Sequence, residues 1–326
     1  MSSHLQRLLS AGIASLVLLA PGLAAAQNFP TRPVTVVVPY QAGGSLDVIA
    51  RALTVKLSKT WGQPVVIENR PGANGMIATQ HVIKSQPDGH TLLYHITGII
   101  QNPLLYKNVA YNPLTDVVPV IQIGGQAMGL AVPGKSALNS LDQLVSDGKA
   151  KGDKGHTFGS VGTGHTGHIW SELLVAEKGI KGTHAAYKGT PALVLDLVSD
   201  RIDWAFVSTA EAVVRASDRS VKILAVTGTE RVKQLPDVAT MRELGYPGFE
   251  MVGWHGLFAP VNTPKPVLAK IEADVRAALA DPDVQKVLET QVVQSTGLGT
   301  EAFSQLMRSD QARWATLIKR FNIQAD

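Results

Sequence analysis

The sequence predicts an α/β protein made of two halves, with two crossings of the chain between them. Short apolar, β-branched runs alternate with segments of helical period, and glycine-rich junctions stand where strand gives way to helix. The same order then starts again beyond residue 124. At roughly 100–200 residues per domain, 326 residues are enough for two medium domains with substantial cores.

Val34 to Val38 reads as a buried strand ending at Pro39. After Gly43-Gly44, Ser45 is an expected N-cap, and Leu46, Ile49, Ala50, Leu53 and Leu57 recur at helical spacing. A strand at Val65 to Ile67, a turn at Pro71-Gly72, a helix capped by Asn74 and a strand at Thr91 to Ile96 follow. Strands at Val117 to Ile123 and Met128 to Val132 flank Gly124-Gly125. This order implies a mostly parallel sheet covered by helices. In the second half, Ser140 and Gln143 form a capping box before a helix to about Lys149. Strand Thr157 to Val161, helix Thr166 to Lys178 and strand Thr183 to Tyr187 come next, then a helix capped by Thr190 through Val198. Trp204 to Val207 and Val221 to Val226 read as strands around a helix at Ala210 to Ala216. The chain returns in a strand at Trp254 to Phe258 and closes with helices opening near Pro264, at Asp281 with Pro282, and near Thr300. Two crossings make a hinge.

The first 26 residues are of another kind. His4 and Arg7 precede an apolar run from Leu8 to Ala20, Pro21-Gly22 breaks it, and Ala24-Ala25-Ala26 supplies a small-residue cleavage site, the pattern of a secretory signal peptide. The run is shorter than the roughly 20 residues that span a bilayer. Cleavage after Ala26 implies an exported chain starting at Gln27, with a bacterial periplasm as its expected compartment. The formal charge is +4, and +3 once Arg7 is lost; basic residues are dispersed rather than clustered, which disfavours nucleic acid as a partner. With no cysteine, disulfides, thiolate metal sites and a cysteine nucleophile are all excluded.

Three local patterns invite functional readings. Gly162, Gly164 and Gly167 in GTGHTG spell GxGxxG between a strand and a helix. A dinucleotide site wants an acid about 20 residues on, and Lys181 and Gly182 stand there instead. What survives is that glycines before a helix expose N–H groups whose dipoles favour an anion, carboxylate as well as phosphate. His165 and His168 lie three apart on the first turn of that helix, with His156 and His184 nearby. They read as capping or solvated histidines, as a His165 donor to an anion, or as metal ligands, although HExxH is absent. Finally, Pro39 to Asp47 joins a strand end to a helix start, the place where open α/β sheets bind ligands, and Gly159 to Gly164 occupies an equivalent junction in the second half. Two such loops facing each other would hold one carboxylate per end. Catalysis finds little support: there is no GxSxG elbow and no paired carboxylate beside a cleft-like motif.

The segments PYQAGGSLDVIARAL (39–53), WGQPVVIENRPGANG (61–75), QPDGHTLLY (86–94), NPLLYKNVAYNPLTDVVPV (102–120), FGSVGTGHTGHIWSELL (158–174), AAYKGTPALVLDLVSDRIDWAF (185–206), LAVTGTERVKQLPDVATMRELGYPGFE (224–250) and WHGLFAPVNTPKPVLAKI (254–271) resemble, in order, the Bug-type, TctC-like solute-binding proteins of tripartite tricarboxylate transporters. The resemblance implies a periplasmic-binding-protein (Venus flytrap) fold with two α/β domains, a small carboxylate held in the interdomain cleft, and delivery of the closed form to membrane permease subunits. It implies a binding protein without catalytic residues, metal or cofactor, and a monomer is expected. Residues 27–123 with 250–326 are expected to form one domain and 124–249 the other. By position, the ligand-binding candidates are Gln41, Gly43, Gly44, Ser45 and Asp47 from the first loop and Ser160, Thr163, Gly164, His165 and Thr166 from the second, with Thr190 in the YKGT turn.

Two departures bear on the ligand. His165 replaces the small hydroxyl residue many relatives carry after GxG, and Val207 stands where relatives often have an aspartate. Loss of that carboxylate disfavours an amino acid, whose buried ammonium would be left unpaired. A dicarboxylate with an uncharged body is expected, aromatic like terephthalate or simply aliphatic. A secreted hydrolytic or metal-dependent enzyme and a sensory receptor are the competing readings on the same scaffold.

Overall fold

The computed structural model describes residues 29–320 and 322–324. The signal peptide read at 1–26 lies outside the described residues, among which no helix is long and apolar enough to cross a membrane. The first half builds β1 (Val34–Val38), α1 (Ser45–Trp61), β2 (Val65–Asn69), α2 (Met76–Ile83), β3 (Thr91–Ile96), α3 (Gly98–Leu105) and β4 (Val117–Gln126). The second contains β5 (Met128–Pro133), α4 (Leu141–Ala150), β6 (His156–Ser160), α5 (Thr166–Lys178), β7 (Gly182–Ala186), α6 (Thr190–Val198), β8 (Trp204–Ser208), α7 (Thr209–Ser217) and β9 (Val221–Val226). The return comprises β10 (Gly253–Pro260), α8 (Lys265–Leu279), α9 (Pro282–Thr290), β11 (Gln294–Ser295) and α10 (Thr300–Arg320).

Two sheets result, in the orders β11-β4-β10-β3-β1-β2 and β7-β6-β8-β5-β9. They are mixed rather than mostly parallel. β1 runs parallel to β2 and β3, and β6 parallel to β7 and β8. β10 is antiparallel to β3 and β4, and β5 to β8 and β9. The crossings explain this. β5 and β10 are the strands by which the chain enters a sheet from the other one, so each starts at the end where its parallel neighbours finish. Gly124 and Gly125 do not interrupt β4, which continues to Gln126 and leaves only Ala127 before β5. A Cβ on Gly124 would lie 2.7 Å from Val293 Cγ1 and closer still to the backbone of Gln294, so glycine there admits β11 to the sheet edge.

Several helix starts differ from the sequence expectation by one residue. Gly44 rather than Ser45 is the N-cap of α1, and Gly189 at φ +122° rather than Thr190 caps α6. Asn74 sits at φ +48° inside a 3-10 turn, with Gly75 (φ +86°) as the N-cap of α2. In all three cases the glycine adopts the turn and the polar residue falls beside it. Ser140 does accept from Gln143 N–H at 3.2 Å, but the Gln143 side chain returns to Asn139 N–H at 2.7 Å. Helix α3 has no counterpart in the sequence reading, because Pro103 inside it removes an N–H and reads as a breaker. The carbonyl that Pro103 cannot reach, Ile99 O, accepts instead from Tyr111 Oη at 3.2 Å.

Apolar packing comes in three layers. One cluster joins β1 and β3 to α1, α8 and α9; another covers the outer face of the second sheet with α6 and α7. The middle cluster is continuous across both sheets and includes Trp170 of α5, Phe249 and Trp314 of α10. The Trp170 and Trp314 rings lie 4.8 Å apart, so the last helix packs on both halves.

Candidate functional site

β1, β3, β6 and β8 run in the direction that brings their C-terminal ends toward the crossings, and three junctions that follow them meet there. The first is the loop from Tyr40 to Gly44. Gly43, at φ +86°, donates its N–H to Asp47 Oδ2 at 2.9 Å. The Asp47 carboxylate also accepts from Arg51 Nε at 2.8 Å, Arg51 Nη2 at 2.9 Å and Asn69 Nδ2 at 3.0 Å. Only 3% exposed, it braces the loop from behind. Burial raises its pKa, but the bonds from Arg51, Gly43 and Asn69 outweigh burial and hold it below the ordinary carboxylate range. Gln41, Gly43 and Gly44 are exposed, and the buried Oγ of Ser45 has no hydrogen-bond partner. Tyr40 Oη is likewise buried without a partner.

The second junction precedes α5. Ser160 Oγ turns inward, 2.8 Å from Gly162 O and 2.7 Å from His184 Nε2. His165 is the N-cap of α5: its Nδ1 accepts from Gly167 N–H at 3.2 Å. Burial first, and the neighbouring His168 second, push its pKa down to about 4. Near neutral pH the ring is therefore uncharged and, with Nδ1 accepting, carries its proton on Nε2, a tautomer assigned from this bond. Capping and donation to an anion, offered as alternatives by the sequence, are compatible here because they use different ring nitrogens. Thr190 is half-buried at the start of α6. Val207, 3% exposed, packs in the apolar cluster under α6 and α7.

The third junction was not read from the sequence. β3 ends at Ile96 and α3 opens at Gly98, and this helix meets the second loop directly. Tyr106 Oη donates to Thr163 O at 2.8 Å. Thr166 Oγ1 donates to Gln101 Oε1 at 3.1 Å, and the Gln101 amide nitrogen, fully buried, has no partner. Gly98 adjoins the first loop: a Cβ there would sit at ordinary contact distance, 3.7 Å from Tyr40 Oη and 3.6 Å from the His95 ring. The structure thus gathers Tyr40, Gln101 and Tyr106 beside Thr163 and Thr166. The signal that would have found α3 is the strand-then-glycine pattern of ITG at 96–98, the same one that marks the other two loops.

This arrangement of polar groups at facing strand ends suits capture of a small anion, and comparison with known proteins narrows it. Residues 49–323 match the tripartite tricarboxylate transporter family receptor, TctC. The chain belongs to this family. It is 36% identical over 299 residues to the "UPF0065 protein in tcbD-tcbE intergenic region" of Pseudomonas sp., covering 91% of this chain and 89% of that one. Among solved structures, it resembles the periplasmic binding protein BugD with a TM-score of 0.82 at 34% identity, covering 91% of this chain and 100% of BugD. Rpa4515 of R. palustris, solved with adipate, gives 0.84 at 30% identity over 91% and 99% of the two chains. MatC of Rhodopseudomonas palustris, solved with bound malate, gives 0.81 at 32% over 89% and 100%. The family is one of solute-binding receptors, not of enzymes, and the two-sheet α/β fold described above is theirs.

Proposed function

We propose that this receptor works in the periplasm, where it captures a small dicarboxylate between residues 27–123 with 250–326 on one side and 124–249 on the other, and presents the closed form to the permease subunits of a tripartite tricarboxylate-type transporter. The observation that carries this reading is the meeting of glycine-rich strand-to-helix junctions from both sheets, bridged by Tyr106–Thr163 and Gln101–Thr166. Each half offers N–H groups, hydroxyls or a neutral imidazole, so carboxylates are held by charge-assisted hydrogen bonds without a full counter-ion. The ligand favours the closed arrangement because only there do both loops reach it, and that difference in affinity shifts the population. His165 Nε2–H is the side-chain donor from the second loop. Asp47 acts on the first loop from behind.

Two features favour an uncharged body over an amino acid. Val207 places no carboxylate at its strand end, and the Asp47 carboxylate is already occupied by Arg51, Asn69 and Gly43, so neither offers a partner for an ammonium. The adipate and malate of the two R. palustris neighbours belong to the same chemical class. Calorimetry of the purified protein against adipate, malate, terephthalate, glutamate and aspartate tests this. Binding of one or more of the dicarboxylates without ammonium is expected; tight binding of glutamate or aspartate would overturn the ligand assignment.

A further inference from the structure

His168 is buried, 4% exposed, and its two ring nitrogens face different tasks. Nδ1 accepts from Gly164 N–H at 3.1 Å, a reach backward across the first turn of α5 into the glycine loop. Nε2 lies 3.4 Å from Glu172 Oε1, one turn further along the same helix. An accepting Nδ1 requires the ring's proton on Nε2, and the carboxylate at Nε2 selects that form. The plane of the ring is fixed from the side: His184 stacks on His168 at 4.0 Å between centroids and 27° between planes. Phe158 stacks on His184 at 5.4 Å, and Trp204 on Phe158 at 5.1 Å. The peptide so held needs holding. Gly162 and Gly164 both have positive φ, +148° and +76°, and between them Thr163 presents its carbonyl to Tyr106.

We infer that His168, oriented by Glu172 and the aromatic stack, is a positioning residue for ligand capture: it fixes the Gly162–Gly164 loop in the shape that aims Thr163, His165 and Thr166 at the opposing half. This rests on the binding role proposed above and assigns His168 to it without placing it against the ligand. Ser160 Oγ and His165 N–H hold Gly162 O and Tyr106 holds Thr163 O, so the bond to Gly164 N–H is what His168 adds, and its effect is on loop order rather than on helix packing.

The test compares His168→Leu, which keeps bulk but has no acceptor, with His168→Asn, whose Oδ1 can stand in for Nδ1. Amide exchange at Gly164 is read by NMR, and affinity for adipate, malate and terephthalate by calorimetry. Slow Gly164 exchange in wild type and His168→Asn, at least tenfold faster exchange in His168→Leu, and a matching tenfold or greater loss of dicarboxylate affinity restored by His168→Asn are expected. Unchanged Gly164 exchange in His168→Leu overturns the inference, as does affinity equal to wild type. If wild type binds none of the three probes, the binding reading fails and Gly164 exchange alone decides the positioning role. Should His168→Leu fail to fold, ¹⁵N shifts of the wild-type ring decide: protonation at Nε2 that moves toward Nδ1 in Glu172→Ala supports the relay, and a ring already protonated at Nδ1 overturns it.

Discussion

Replacing Asp47 with alanine should destabilise the first loop far more than its place in the first turn of a helix suggests. The carboxylate accepts from Gly43 N–H and Asn69 Nδ2 at 2.9 and 3.0 Å, in addition to Arg51. A hydrogen bond to a charged group contributes about 1.5–3 kcal/mol net. Gly43 is exposed and regains water in the variant, so the lower end applies, and two bonds give about 3 kcal/mol, a large share of the 5–15 kcal/mol typical of a folded protein. Arg51 is left out of this sum because its side chain is 53% exposed and solvent screens the pair. Urea unfolding at neutral pH measures the loss as a fall in midpoint at unchanged slope. The acid side supplies a second reading. Because the folded carboxyl titrates below its ordinary value, its stabilisation is complete above the unfolded pKa of about 4 and disappears as pH falls through the folded one. The gap between wild type and Asp47→Ala should therefore narrow in acid. A loss under about 1 kcal/mol at neutral pH, less than one such bond, would refute the bracing role.

Three further outcomes are expected. His165→Ala should weaken dicarboxylate binding by at least the ~1 kcal/mol of a net hydrogen bond, measured by calorimetry; an unchanged dissociation constant would remove His165 from the site. Gly44 has φ −75° and a Cβ there would meet Gln41 O at an ordinary 3.6 Å, so Gly44→Leu should fold normally yet lose affinity by blocking close approach of the ligand to the loop. Normal affinity in that variant would count against the first loop. Tyr111→Phe, which strips the donor from Ile99 O above Pro103, should cost about 1 kcal/mol in urea unfolding, and no change would mean that water serves that carbonyl equally well.

Much of the fold was legible because its signals are local. Strands such as Val34–Val38 and Val221–Val226 announce themselves by β-branched runs, and the Ser140 and Asp281 caps by side chains that bond within three residues. Helix α3 was not legible, because Pro103 carries a strong local penalty that only a distant hydroxyl, Tyr111, offsets. The site divided in the same way. Both glycine loops and His165 could be picked out, since the junction pattern is written in consecutive residues. Gln101 and Tyr106 could not, since one is an ordinary helical residue and the other an ordinary residue at that helix's end until the second loop is brought against them.

By itself, then, the sequence determined the alternation of strand and helix, the two-part organisation, the glycine-rich strand-to-helix loops and, through a resemblance running along the chain, the family. Tertiary structure alone decided which strands run antiparallel, that the Asp47 carboxylate is bonded by Gly43, Arg51 and Asn69, and that His168 bonds the glycine loop before His165. The reason is physical. Hydrophobic period and turn chemistry act over a few residues and survive in one dimension, whereas the direction of a carboxylate or the proton on a ring nitrogen is set by donors and acceptors that only folding brings together.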